Sequence, residues 1–421
     1  MSAADAGTAT DLAALGASYA EHLQRVVLPF WLTEAVDREH GGFLTCFDNR
    51  GRTLVSTDKY TWSQGRFVWL LARAADLARR GLLDLDADEL LSAARTGAEF
   101  VLGHAPLAEG GYAFSLSREG VLREGHTSVF ADCFVVLGLA ELARVTGDDR
   151  LLERALRSYD QVSAEIDAGR ALTAPYPVPA GHRAYSLAMI MLNVSLELAE
   201  ALRTTGHPRA DAVWEQAQRH LADIMTVFRQ PPAVAELVPA PGVPGDTLLA
   251  RHRTPGHTIE GMWFALHAAR RAGRTDVMRE ACRVIAEACA IGWDEEYGGL
   301  LRYVDRDGGR PRGDAGDDPY GQLVVDTWDT KLWWPHAEAL YATLLGRLWC
   351  GDDELAAWHR RVHDYTFATF PAAPDEGREW IQIRDRAGRP LEKVVALPVK
   401  DPFHVARSLL LLVELLGRTP D

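Results

Sequence analysis

Basic charge is in short supply. The sequence carries 45 lysines and arginines against 59 aspartates and glutamates, a formal net charge of −14 over 421 residues. A protein that holds a nucleic-acid backbone or an anionic membrane needs a basic surplus to release counterions, so neither partner is expected and a neutral small molecule is the simplest substrate. Cysteine is equally sparse: Cys46, Cys133, Cys282, Cys289 and Cys350 are scattered without a CxxC pair. That excludes a disulfide framework and reads as buried free thiols. No basic segment followed by an apolar one opens the sequence, so no secretory signal is expected and the expected location is cytoplasmic. The longest nearly uncharged run, residues 184–196, is shorter than a bilayer requires. No P-loop or GxGxxG stands in a nucleotide-binding context.

Hydrophobic residues at 47% and charged residues at 25% are ordinary globular proportions and allow a large core. Apolar residues recur at helical spacing between Gly and Pro stops, which predicts helices near 11–29, 60–80, 89–104, 128–145, 149–166, 184–204, 208–228, 256–272, 275–291, 334–349, 353–370 and 402–416. Twelve helices in six consecutive pairs fit a closed double ring. Between them, short alternating segments with turn residues recur at 40–52, 111–120, 299–308 and 380–388, each read as a small hairpin on a connecting loop. No strong linker interrupts the chain, so a single domain over 1–421 is expected. Two long stretches, 230–247 with its prolines and 306–321, read as loops, with a lid as one role.

Two places repeat one local design: Thr254-Pro255-Gly256-His257 and Asp401-Pro402-Phe403-His404. An N-cap residue followed by proline starts a helix, so each histidine is predicted at the third helical position. There the helix dipole disfavours imidazolium and biases the ring toward a neutral base. Histidine titrates near neutrality, which suits a general acid or base, although a lone helix-start histidine more often serves the fold. Glu260 lies one turn beyond His257 and could orient the ring or bind a hydroxyl; its charge would raise the imidazole pKa against the dipole. A metal held by His257 and Glu260 is conceivable, but no HExxH or paired Cys/His spacing supports one. Trp62, Arg66 and Trp69 fall on one helical face, where Arg66 could pair with a buried carboxylate or stabilise an oxyanion. Trp334, His336 and Glu338 supply an aromatic, a histidine and a carboxylate at another helix start, the aromatic suiting a sugar ring or a packed core.

The stretches Glu39-His40-Gly41-Gly42-Phe43, Tyr60-Thr61-Trp62-Ser63-Gln64-Gly65-Arg66 with Val68-Trp69, Pro255-Gly256-His257-Thr258-Ile259-Glu260, Lys331 to Glu338, and Phe403-His404-Val405 with Arg407 together resemble the N-acylglucosamine 2-epimerase family. The resemblance spans nearly the whole chain. It implies an all-α (α/α)6 barrel with a central cavity and a free sugar enolised at C2 without a cofactor or metal. His257 and His404 would be the catalytic pair and Arg66 the enediolate stabiliser. Glu260 and Glu338 would contact substrate or orient the histidines, with Trp62, Trp334, His336 and Asn193 completing a sugar site. The sugar isomerases and cellobiose epimerases of the superfamily usually carry histidine at the position of Asn193, and the N-acylglucosamine branch carries asparagine. Three alternatives stay open: an aldose–ketose isomerase, a glycoside hydrolase using carboxylates such as Asp326, Asp329 and Glu338, and a non-catalytic binding protein. The sequence leaves the oligomeric state open, a homodimer included.

Overall fold

The computed structural model describes residues 3–417. Helix α1 (Ala3–His22) runs through a π-helical turn, Leu23–Val27, into α2 (Leu28–Glu34), so these form one long first helix. Then follow α3 (Thr61–Arg79), α4 (Ala87–His104), α5 (Val129–Thr146), α6 (Asp149–Asp167), α7 (Tyr185–Thr204) and α8 (Ala210–Asp223), the last extended by a second π-helical turn. The second half holds a single turn α9 (Leu248–Arg251), α10 (Pro255–Arg271), α11 (Thr275–Gly292), a short α12 (Pro319–Thr327), α13 (Trp333–Cys350), α14 (Asp353–Thr369) and α15 (Phe403–Gly417). Among the described residues the twelve long helices match the expected segments. The helix α12 does not: it begins within the last residues of a stretch read as loop, because Asp318 accepts from the Tyr320 and Gly321 amides and Pro319 follows it.

Helices α3, α5, α7, α10, α13 and α15 each pack on the next, and α15 returns to α3, so an inner ring closes. Each carries one outer helix, α4 on α3, α6 on α5, α8 on α7, α11 on α10, α14 on α13 and α1 on α15. The sequence separates the rings. Outer helix α6 buries only one stripe, Leu152, Ala155, Leu156, Tyr159 and Val162, whereas inner α5 is buried on nearly every side. Inner α7 is long and apolar enough to cross a membrane, longer than its uncharged run suggested, yet it is mostly buried in the barrel. Where α3 crosses α5, glycine is required: a Cβ on Gly65 would stand 2.2 Å from the Phe134 carbonyl oxygen, and one on Gly138 2.5 Å from that of Gly65.

Four inner helices are entered through two- or three-residue strands: β1 (Lys59–Tyr60) before α3, β4 (His182–Ala184) before α7, β6 (His252–Arg253) before α10 and β8 (Lys331–Leu332) before α13. Their antiparallel partners are β2 (Ser115–Leu116), β5 (Leu237–Pro239), β7 (Val304–Asp305) and β9 (Ile383–Arg384). Here the hairpin expectation needs correction. Only 111–120 forms a hairpin, β2 with β3 (Leu122–Glu124). The units at 299–308 and 380–388 instead pair with the strands leading into α10 and α13, and 40–52 makes isolated bridges. Alternation predicts a strand, but its partner is a tertiary matter.

Buried lysines fasten two of these entries and the start of α15. Lys59 Nζ meets Asp37 at 2.9 Å, Lys331 meets Asp294 at 3.1 Å and Lys400 meets Glu379 at 3.0 Å, and each ammonium also donates to backbone carbonyls of the neighbouring turn. A lysine without solvent survives only with such a full set of acceptors. At the opposite end, Arg73 of α3 gathers Glu141, Glu197 and Glu414 from α5, α7 and α15 at 2.6–3.3 Å, tying four inner helices together as a floor.

Candidate active site

All six inner helices start at the strand-bearing end, and there the first two or three turns of each present side chains to one cavity of about 240 Å³. Its walls include Trp62 and Arg66 from α3, Phe134 from α5, Asn193 from α7, His257 and Glu260 from α10, Trp334 from α13, and His404 and Arg407 from α15. Residues from segments 173–179 and 395–399 also line it. The volume lies near the lower end for small-molecule pockets.

The two histidines face this cavity with the same orientation device. His257 Nδ1 lies 3.0 Å from both Glu236 carboxylate oxygens, and His404 Nδ1 lies 2.7 Å from Glu338 Oε1. A carboxylate at Nδ1 fixes the proton there and leaves Nε2 as the reactive nitrogen. The Trp334 ring stands beside both, its centroid 5.2 Å from His257 and 5.5 Å from His404. His257 is the third residue of α10 as predicted, although Thr254 makes no side-chain cap bond. His404 is the second residue of α15, not the third, because the helix starts at Phe403, whose amide donates to Asp401 Oδ1 at 2.7 Å.

Their protonation tendencies diverge. Burial disfavours a charged ring at both. At His257 the charge and hydrogen bond of Glu236, aided by Glu260, outweigh burial and raise the pKa, the reverse of the dipole expectation. Glu236 answers in kind: burial pushes its carboxyl up, but His257 more than reverses this and lowers it. At His404 burial prevails over Glu260, with Arg66 and Arg407 adding to it, and the pKa falls to about 3.

Arg66 stacks between Phe134 and Phe403, its guanidinium carbon 4.1 and 4.8 Å from their ring centres. Its Nη1 pairs with Asp401, and its Nη2 lies 3.4 Å from His404 Nε2. A donor is thus held beside the reactive nitrogen. Glu260 accepts from Arg407, which also donates to Glu338 at 2.7 Å. Glu260, Glu338 and His404 offer ligand atoms within 4.8 Å of one another, a spacing that could hold a metal, but the Arg407 guanidinium already stands as the cation between the two carboxylates. No metal role is assigned to them.

Two expected contacts move. Glu338 has no exposure and does not line the cavity; it binds His404, Arg407 and, at 2.7 Å, the Trp263 indole, so it orients rather than touches substrate. His336 is fully buried away from the cavity, donating from Nδ1 to the Leu332 carbonyl (2.6 Å) and accepting at Nε2 from the Leu300 amide (2.8 Å). Helical geometry explains this: two residues after Trp334 is about 200° around the helix, so both cannot face the ring's interior. Asp326 and Asp329, the hydrolase carboxylates, do not line the cavity either. The residue that sequence reasoning missed is Glu236. Its signal was a lone carboxylate inside the apolar run Ala233-Val234-Ala235-Glu236-Leu237-Val238, set in a stretch read only as proline-rich loop.

The model of the family described as N-acylglucosamine 2-epimerase (GlcNAc 2-epimerase) matches residues 42–407. A relative from Bos taurus, N-acylglucosamine 2-epimerase, is 34% identical over 403 residues, covering 94% of this chain and 90% of the relative. Among solved structures, a sugar epimerase from a ruminal bacterium superposes with a TM-score of 0.75 at 18% identity over 95% of this chain and 98% of that one. A D-mannose isomerase superposes with a TM-score of 0.73 at 18% identity over 96% and 98%. Those two likenesses bear on the (α/α)6 fold. With the family model across most of its length and a relative matched nearly end to end, the chain belongs to the N-acylglucosamine 2-epimerase family of isomerases.

Proposed function

We propose that the protein is a sugar 2-epimerase that inverts C2 of a free, reducing N-acylhexosamine of the N-acetylglucosamine and N-acetylmannosamine type. The observation that carries this reading is the pair of carboxylate-anchored imidazoles on one cavity, with protonation tendencies pushed apart. In the opened sugar, His404 Nε2 takes the C2 proton, and the C–H electrons form the C1–C2 double bond as negative charge moves to O1. Arg66 stabilises that enediolate oxygen. His257, whose hold on a proton Glu236 strengthens, then returns a proton to C2 from the opposite face and the carbonyl reforms. The reverse direction exchanges the two roles. No step calls for a redox centre or metal.

Incubation with N-acetylglucosamine, N-acetylmannosamine and mannose in heavy water tests the reading. Deuterium should enter C2 and the product should be the C2 epimer; a ketose product would make the protein an aldose–ketose isomerase. His257→Asn and His404→Asn should each lower kcat by roughly 10²–10⁴-fold, while one of them still exchanges the C2 proton of one epimer. Near-native turnover in both variants would return these residues to a structural role.

A further inference from the structure

Three arginines line the cavity, and two are neutralised, Arg66 by Asp401 and Arg407 by Glu260 and Glu338. Arg302 is different. It is 5% exposed, its Nη1 donates to Thr327 Oγ1 at 3.1 Å, its Nη2 reaches the Val395 carbonyl at 3.4 Å, and its guanidinium carbon lies 4.9 Å from the Tyr303 ring centre. All of these partners are neutral. No carboxylate among the described residues forms an ion pair with it. A guanidinium offers five donors and no acceptor; the other groups around it, Tyr176 and Tyr303, are also neutral, so its charge stands without a counter-ion where water is scarce. It sits on the His257 side of the cavity: its positive charge is one of the influences lowering the His257 pKa.

We propose that Arg302 is the residue that reads the C2 substituent, donating to the carbonyl oxygen of an N-acyl group. This rests on the reading of the site as a C2 epimerase. Whatever protonates or deprotonates C2 must come within about 3–3.5 Å of it, so the group carried on C2 lies within reach of the side chains flanking His257. A donor-only fork matches an acceptor-only amide oxygen better than a hydroxyl, which presents a proton of its own. Beside Arg302, Tyr320 packs edge-on against Tyr176 and Tyr303, with ring centres 6.1 and 6.3 Å away. These rings supply an apolar wall for the acyl methyl group, so one corner of the cavity holds both halves of an amide-recognition site.

The test compares two unreactive open-chain ligands, 2-acetamido-2-deoxyglucitol and glucitol, which differ at C2 alone. Calorimetry should find the acetamido ligand bound more tightly by the wild type. Arg302→Gln and Arg302→Lys should reduce that preference by about ten- to a hundredfold while glucitol binding stays unchanged. Arg302→Lys keeps the charge, so the test does not hang on the folding of one variant. A wild type that does not prefer the acetamido ligand, variants that keep the preference, or parallel loss of both ligands in both variants overturns the proposal. Tighter binding of a sugar carboxylate such as glucarate also overturns it and makes Arg302 an anion site. C2 deuterium exchange by the wild type separates the two readings: exchange without the Arg302-dependent preference sinks this inference alone, and no exchange with any sugar sinks the epimerase reading beneath it.

Discussion

At His257 two influences oppose each other, a buried position that resists charge and a carboxylate that demands it, and Glu236 decides the outcome. Glu236→Gln keeps a hydrogen-bonding partner but removes the charge, so the imidazole pKa should drop. Because His257 then loses its proton earlier on the alkaline side, the alkaline limb of kcat/KM should move to lower pH, with kcat reduced by roughly 10²–10⁴-fold. An unchanged pH–rate profile would detach Glu236 from catalysis. Arg66 is set by shape rather than charge alone: one nitrogen is engaged by Asp401 while another lies beside His404 Nε2. Arg66→Lys provides a point charge in place of the fork and should cost roughly 10²–10³-fold in kcat with the thermal midpoint little changed. The family resemblance implied His257, Glu260 and Trp334 on the cavity, where they lie, but also His336, which does not, since side-chain direction on α13 depends on how that helix is rotated against its neighbours.

The elements meet with little tolerance where α3 crosses α5. Gly65→Ala would drive a methyl group into the Phe134 carbonyl, and since Arg66 is the next residue, the helices cannot separate without moving the site. This variant should lose about 1–3 kcal/mol in urea unfolding and show reduced kcat even where it remains folded. The lysine entries invite a second test. Lys400 and Glu379 have no exposed side-chain surface, so Lys400→Met leaves a carboxylate buried without its counter-ion and should destabilise by about 3–5 kcal/mol. A much smaller shift in the urea midpoint would mean that the backbone acceptors, not the ion pair, account for the lysine. Neither lysine nor glycine is conspicuous in the sequence as a packing device. Each becomes one only when residues distant in the chain converge on it.

For the whole molecule, buried neutral histidines set a limit at low pH. Burial lowers His22 and His252 to about 4 and His336, His359 and His404 to about 3, against an unperturbed value near 6.5. Below pH 6.5 the unfolded chain takes up protons that the fold refuses until those lower values are reached. Stability is therefore intact above about pH 6.5 and falls as the pH drops toward 4, by up to about 1.4 kcal/mol per pH unit for each group. Urea midpoints measured from pH 8 to pH 5 should decline, and a flat series would show that these rings are not held neutral. The same whole-molecule view separates what was legible from what was not. Helical periodicity with Gly and Pro stops determined twelve long helices and their pairing in sequence, because a 3.6-residue apolar repeat needs only local geometry. The Pro-started histidines, Glu260 and Trp62 with Arg66 marked the first turns of inner helices for the same reason. Ring closure decided the rest: which strand pairs with which, that Glu236 reaches His257, that Glu338 turns to His404 and Arg407, and that Arg302 has no counter-ion among the described residues. Those relations join residues far apart in the chain, and burial and charge acquire their values only after the six helix starts have converged on one cavity.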